Sequence, residues 1–376
     1  MTHDVIIVGA GPAGAAAGYW LGEAGCRAVV LEKRTLPRYK PCGGGVPKAV
    51  LDRFPFDLSP VVERWIRRVR FRFSDGREAV ARLPDCPIAM VMRDRFDLRM
   101  IDHVQAKVRE NAYVVALEQE ATGVAVTTAS GETLRARYLI GADGASSRVS
   151  WLAGLRRGRQ MGVAMEAEAP VTEDLLEEYQ DTALFVFGTP PNGYLWVFPK
   201  AEHLSVGIGT FQGRASNIKH LLQTEMAKLG IHIDGVRLRG HPLPVHLKHE
   251  PLHRGRVLLT GDAAGLMDPL LGEGIRHAVD SGRLAAESVL NDDPASYSRQ
   301  VHQKIGRDLL WGRWWAHLFY RYPRASFELA VRNPRFVSDF LRLFVGETSY
   351  RRMTLRAVPN VLLGFSGRLP ASRRAV

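Results

Sequence analysis

The opening "DVIIVGAGPAGAAAGYWLGEAG", residues 4–25, constrains this chain more than any other stretch. Its first part is an apolar, β-branched run that breaks at glycine; the rest is a small-residue helix entered at Pro12. "CRAVVLEK" follows as a second buried strand, so the segment reads as a β-α-β unit. Gly9, Gly11 and Gly14 set G-x-G-x-x-G on the strand-to-helix turn. The first glycine permits the turn, the second lets backbone approach a pyrophosphate, and the third lets helix and strand pack closely. The pyrophosphate sits at the helix N-terminus, where free N–H groups and the helix dipole favour an anion. Glu32 ends the second strand, where a carboxylate accepts hydrogen bonds from a ribose diol. NAD and FAD both satisfy this pattern. Arg34 is a cation of the kind that meets a 2′-phosphate, but Glu32 repels one, so NADP is disfavoured at this site. "GIGTFQG", residues 207–213, is a false echo inside an apolar strand with no downstream acid.

The chain of 376 residues is long enough for two interleaved domains, and 46% hydrophobic residues suffice for a sizeable core. Val5–Gly22 is uncharged, but its glycines and Pro12 divide it into two elements, and no basic segment precedes it. It is therefore read as neither signal peptide nor membrane span. Helical periodicity runs from Arg93 to about Asn111, and short strands follow through "VAVTTASGETLRARYLIGADG". Several strand-like runs in 159–211 predict an antiparallel sheet. "VLLTGDAAG" is another buried strand, "GEGIRHAVDSGRLAAESVL" a helix, and the chain beyond about Pro294 is helical and aromatic-rich. The tail "PASRRAV" is expected to be disordered.

A net charge of +12 favours anionic partners, but no block of consecutive basic residues forms a nucleic-acid arm, so nucleic acid is not an expected partner. Cys26, Cys42 and Cys86 are too few and scattered for a disulfide framework or metal cluster, which suits a reducing cytoplasm. His241, His246, His249 and His253 are interrupted by Pro242, Pro244 and Pro251, so no metal site is expected there.

"YLIGADGASSRV" (138–149) and "VLLTGDAAGLMDPLLGEGIRHA" (257–278) resemble the further FAD signatures of the hydroxylase-type flavoproteins. That resemblance implies that Asp262 holds the ribityl chain, that Gly274 and Ile275 lie at the flavin pyrimidine, and that Arg93 contacts the cofactor. A helix N-terminus there suits reduced flavin, which is anionic. Within this superfamily, "KPCGGGVP" and "PNGYLWVFP" (191–199) together resemble the geranylgeranyl reductase family, over Asp4 to about Leu290. The resemblance implies that Cys42, Gly43 and Gly45 lie against the isoalloxazine ring, which would explain a glycine run that is otherwise costly to order. Cys42 is the candidate catalytic side chain, as a proton donor or a modulator of the ring.

In "GYLWVFP", strand alternation sends Tyr194, Trp196 and Phe198 to one face, a wall that the family likeness makes a lining for an isoprenoid chain. The expected fold class is α/β. A discontinuous Rossmann-like FAD-binding domain (1–64, 92–158, 250–295) carries an inserted antiparallel-sheet substrate domain (65–91, 159–249) and a helical C-terminal region (296–376). The implied activity is FAD-dependent reduction of isolated C=C bonds in a geranylgeranyl chain carried by a prenyl diphosphate, a prenyl lipid or quinone, or a chlorophyll-type pigment. NADPH or reduced ferredoxin would supply electrons transiently. A flavin monooxygenase or halogenase, and a membrane-associated electron-transfer flavoprotein, are the rival readings. "LLWGRWWAHLFYRYPR" (309–324) places Trp311, Trp315 and Leu318 on one helical face with Tyr322 one turn on, flanked by arginines. That pattern suits either a core-facing helix or peripheral contact with the inner membrane face of a cytoplasmic protein.

Overall fold

A computed structural model of the chain describes residues 3–85, 87–155, 161–211, 217–245, 248 and 250–356. Cys86, His246, His249 and the expected disordered tail lie outside the described residues.

His3–Val8 and Ala28–Leu31 are parallel neighbours joined by the helix Pro12–Glu23, which confirms the β-α-β unit. Both strands are buried throughout apart from the start of the first, and the helix Pro12–Glu23 packs on them. The main path of this sheet runs His253–Arg254, Val257–Leu259, Thr133–Gly141, His3–Val8, Ala28–Leu31, Lys107–Arg109. Val114–Gln119 and Val124–Thr128 add an antiparallel ribbon beside Thr133–Gly141. Two distant glycine-ended strands, at Gly9 and Gly141, are thus brought side by side.

The helix Ile275–Leu290 packs on Pro12–Glu23 through small side chains. A Cβ at Gly282 would overlap the Ala13 carbonyl and lie 3.1 Å from Ala16 Cβ, so glycine sets the distance between the helices. The helix expected over 93–111 is shorter, ending at Ile101. The His103 ring, 2.8 Å from the Arg99 carbonyl, occupies a terminal acceptor, and the chain then enters the sheet at Lys107–Arg109.

The second sheet has seven strands, ordered Arg239–Leu243, Gly162–Pro170, His203–Thr210, Gly193–Pro199, Thr182–Phe187, Arg68–Phe73, Glu78–Arg82. It is antiparallel as expected except for one pair, Thr182–Phe187 with Arg68–Phe73, which run parallel because a long excursion separates them in sequence. Leu195 and Val197 face one core, while Tyr194, Trp196 and Phe198 face another. The C-terminal helices cover part of that aromatic face, with Phe344 edge-on to Phe185 at 5.3 Å and Phe319 edge-on to Phe187 at 5.1 Å. A third, small sheet is ordered Gly45–Pro47, Ile88–Val91, Val62–Ile66.

Gly282→Val should overpack the helix pair and cost about 1–3 kcal/mol. Thermal denaturation should show a lower midpoint than wild type, and an unchanged midpoint would mean the two helices separate freely.

Candidate functional site

One cavity of about 430 Å³ gathers almost every residue singled out in the sequence. Gly9, Gly11, Glu32, Arg34, Cys42, Gly43, Gly45, Arg93, Asp262, Gly274, Ile275, Tyr194, Trp196 and Phe198 all border it. Gly14 stands behind this surface, because a Cβ there would overlap the Gly9 carbonyl. The three glycines therefore divide their work. Gly9 adopts φ +107°, Gly14 permits close packing, and Gly11 leaves open space, since a Cβ there would meet no atom nearer than 3.7 Å.

Glu32 is buried and heavily engaged. Its carboxylate accepts hydrogen bonds from Ala10 N at 3.0 Å and Arg34 N at 3.1 Å, and pairs with Arg38 at 3.2 Å. Arg38 also reaches Asp97 at 2.9 Å, and Asp97 grips Arg93 through two bonds of 2.8 and 2.9 Å. Alternating charges thus run along the cavity from Glu32 to Arg93, which stands beside Cys42. Burial alone would lower the Arg93 pKa, but the Asp97 carboxylate more than offsets this and holds the guanidinium charged. The pair Arg93–Asp97 stands at i, i+4 spacing in "RDRFD", a readable signal; Arg38, in an irregular loop, carried none.

Protein side chains crowd part of the glycine loop. A Cβ at Gly43 would lie 2.8 Å from the Phe198 ring and 3.0 Å from Trp196 Nε1, so protein rings already fill that space. Gly44, at φ +70°, is hemmed in by the Val91 carbonyl and by Lys200 Nζ. Gly45 has only ordinary contacts, at 3.7 Å or beyond. Lys200 is fully buried; its ammonium donates to the Gly43 carbonyl at 2.8 Å and the Val91 carbonyl at 2.9 Å. Burial lowers its pKa, while Glu168, Cys42 and Glu166 act the other way.

Across the seven-stranded sheet, Gly207 stands between Glu166 and Trp196. A side chain on Gly207 would overlap the Trp196 indole, so the false glycine echo makes room for a ring rather than a nucleotide. The buried Trp196 Nε1 and His241 Nε2 have no hydrogen-bond partner among the described residues, and both side chains border the cavity. Burial, then Lys40, pushes the His241 pKa down to about 4, so the ring is neutral near pH 7. His253 instead hydrogen-bonds Ser298 Oγ at 2.7 Å. Among the described residues, no group of three or more His, Cys, Asp or Glu is arranged to hold a metal.

Asp143, from the second glycine signature, spends its carboxylate on Ser147 Oγ and on the N–H groups of Arg148 and Val149. Asp262 instead faces the cavity, 3.4 Å from Lys40 Nζ, beside the Gly274 start of Ile275–Leu290. Two helix N-termini therefore open on one cavity, one at the glycine turn and one near the cysteine loop.

The family profile of the FAD binding domain matches residues 2–55 and 65–287. The geranylgeranyl diphosphate reductase of Synechocystis sp. is 30% identical, over 77% of this chain and 76% of that protein. The digeranylgeranylglycerophospholipid reductase of Methanocaldococcus jannaschii is 28% identical, over 76% of each. The crystal structure of a geranylgeranyl bacteriochlorophyll reductase-like protein from Thermoplasma acidophilum superimposes with a TM-score of 0.74, covering 85% of this chain and 87% of that one at 23% identity.

The chain belongs to the geranylgeranyl reductase family of FAD-dependent oxidoreductases.

The residues present fit the cofactor of this geranylgeranyl reductase-type enzyme. Gly11 leaves a cradle a Cβ would narrow, helix N-termini meet the cavity twice, and two buried N atoms await a partner. FAD supplies two-electron hydride chemistry when bound. Glu32→Ala removes a charge-assisted acceptor worth roughly 1.5–3 kcal/mol, so FAD affinity should fall by about tenfold or more. Fluorescence titration of the apoprotein with FAD would measure it, and wild-type affinity in the variant would remove Glu32 from the ribose site.

Proposed function

We propose that this protein saturates isolated C=C bonds of a geranylgeranyl chain, using FAD held along the Gly9–Glu32 side of the cavity. The observation that carries this reading is the placement of Tyr194, Trp196 and Phe198 on the cavity wall, with Trp196 and Phe198 directly against Gly43. Glu32 and Arg34 would meet the adenosine ribose, Gly9 and Gly11 the pyrophosphate, and Asp262 the ribityl chain. Cys42, Gly43, Gly45, Arg93, Gly274 and Ile275 would border the ring. Tyr194 donates its hydroxyl to the Leu271 carbonyl, which fixes its ring as part of the wall. Three buried rings in a row would exclude water and give an alkene a polarizable surface on which developing positive charge is tolerated. Cys42 stands beside Arg93 at the inner end of this wall, positioned to tune the ring or move a proton.

The acceptor class is a geranylgeranyl group on a diphosphate, a lipid or quinone, or a pigment; NADPH or reduced ferredoxin would recharge the cofactor. Wild-type protein with FAD and a reductant should add mass gains of two hydrogens per step to such a chain. Trp196→Ala should lower that rate by about tenfold or more, from lost apolar contact of about 1.5–3 kcal/mol, while FAD content stays near wild type. Oxygen consumption coupled to hydroxylated product, with no mass gain of two hydrogens, would overturn the reading.

Delivery of so apolar a substrate points to a membrane surface. On the helix Arg307–Arg321, Trp311, Trp314 and Leu318 are exposed on one face, with exposed Tyr322 beyond. Trp315, expected on this face, turns inward and donates to Thr354 Oγ1 at 2.8 Å; the exposed ring is Trp314 instead. The inward face, with Gly312 and Ala316, packs on neighbouring helices, so the helix serves core and surface at once. Arg307 and Arg321 flank the rings, a composition suited to an anionic headgroup boundary. Among the described residues no helix is long and apolar enough to cross a membrane. Co-sedimentation with anionic vesicles at low salt should retain wild type and lose Trp311→Ala/Trp314→Ala. Equal sedimentation of both proteins would remove this surface from the proposal.

A further inference from the structure

We propose that Glu166 is the acid that protonates the second carbon of the alkene, and that its proton returns from solvent through Glu168 and His203. The inference rests on the prenyl-reductase reading above and names a catalytic residue within it.

Glu166 is buried, borders the cavity, and stands on the same sheet face as Trp196, with only Gly207 between their strands. Because Gly207 has no side chain, the indole leans across it toward the Glu166 strand, and no bulky group from the intervening strand separates acid from aromatic wall. The Trp196 indole N–H is more than nine-tenths buried, has no hydrogen-bond partner among the described residues, and lies beside Gly43, next in the loop to the Cys42 N–H that reaches Glu166.

A path to solvent leads away from Glu166 on the opposite side. Tyr39 Oη donates to Glu166 at 2.6 Å and lies 3.4 Å from Glu168, and Glu168 reaches the part-exposed His203 ring at 2.7 Å. The groups facing Glu166 come from four elements. Tyr39, Lys40 and Cys42 come from the loop, Glu168 from its own strand, Lys200 from the end of the aromatic strand, and Arg239 and His241 from the edge strand. Arg239 is turned onto the Tyr39 ring, 4.1 Å from its centroid, and Lys200 is committed to two backbone carbonyls. Burial, with repulsion from Glu168, raises the Glu166 pKa to about 7, although Tyr39 and the Cys42 N–H pull it down. A carboxyl still protonated near neutral pH is what an acid needs.

The atoms balance as follows. The alkene π bond breaks, one carbon gains a hydride drawn from reduced FAD, and the other gains the proton as the Glu166 O–H bond breaks. The alkene is reduced by two electrons and the cofactor is oxidised by two. The Tyr39 hydroxyl then gives its proton to the Glu166 carboxylate and takes one from Glu168, which is resupplied from water through His203.

Two measurements on the FAD-loaded protein test this. Infrared difference spectroscopy across pH, without substrate, should show a carboxyl titrating near pH 7 that Glu166→Gln abolishes. Single turnover of dithionite-reduced protein with geranylgeranyl diphosphate should slow as pH rises through that value. Glu166→Gln should be slower by about 10²–10⁴-fold, with wild-type FAD content, and Glu166→Asp should recover part of the rate. Wild-type turnover in Glu166→Gln, or a wild-type carboxyl that titrates only in the ordinary glutamate range, overturns the proposal. Asp143, Asp268 and Glu273 are also buried carboxyls of raised pKa, so if Glu166→Gln fails to fold, a shift of the band in Glu166→Asp makes the assignment and an unshifted band overturns it. A wild type that leaves the geranylgeranyl chain of diphosphate, lipid or quinone, and pigment all unreduced, whatever the carboxyl does, defeats the functional reading and this role together; a Glu166→Gln protein that reduces any of them at the wild-type rate defeats this role alone.

Discussion

The buried ammonium of Lys200 is the contact on which the site's geometry depends. It ends the aromatic strand Gly193–Pro199 and donates to carbonyls of the glycine loop and of Ile88–Val91. Three pieces of chain far apart in sequence are thereby fixed to one point. A buried charge is costly unless its donors are satisfied, and backbone carbonyls satisfy it without adding an opposite charge to the cavity. Gly44 yields the space that the ammonium occupies, and Gly43 the space taken by Phe198 and Trp196. The glycine run is therefore the complement of an aromatic strand and a lysine, and its entropic cost is offset by packing that holds the loop in one conformation.

A second chain of interactions serves the opposite end. Glu32, Arg38, Asp97 and Arg93 alternate in sign and are all nearly buried. Each charge is neutralised by a neighbour, so the row contributes direction rather than net field. It links Glu32, through Arg93, to the neighbourhood of Cys42. A shift of the nucleotide end would be transmitted to the loop through groups that cannot be unpaired cheaply.

Much of this was legible in the sequence because its signals are local. The glycine turn, its strand, its helix and Glu32 fall within one short segment, and strand alternation alone put Tyr194, Trp196 and Phe198 on one face. What escaped was set by pairing between distant strands. Glu166 and Glu168 in "GVAMEAEAP" alternate with small apolar residues, and that spacing puts both carboxylates on one face. Only the register with Gly207 and Trp196 shows that this face is the cavity wall. The shortened helix after Arg93 and the inward turn of Trp315 failed for the same reason: periodicity gives a face, while neighbours decide which edge of it is covered.

The two halves of the cavity then differ in kind. The nucleotide half is polar, with backbone N–H groups and paired charges suited to a bound anion. The sheet half is ringed by aromatics and holds polar side chains whose ionisation burial suppresses, Glu166 and His241 among them. An unactivated alkene offers no heteroatom for an enzyme to grip, so a site for it must work by excluding water and by keeping a proton available where charge develops. A carboxylic acid achieves this without a permanent cation in the cavity, where Lys200, already committed to the backbone, offers no proton to the substrate. The same burial that makes the wall dry makes the acid weak enough to hold its proton until the alkene takes it.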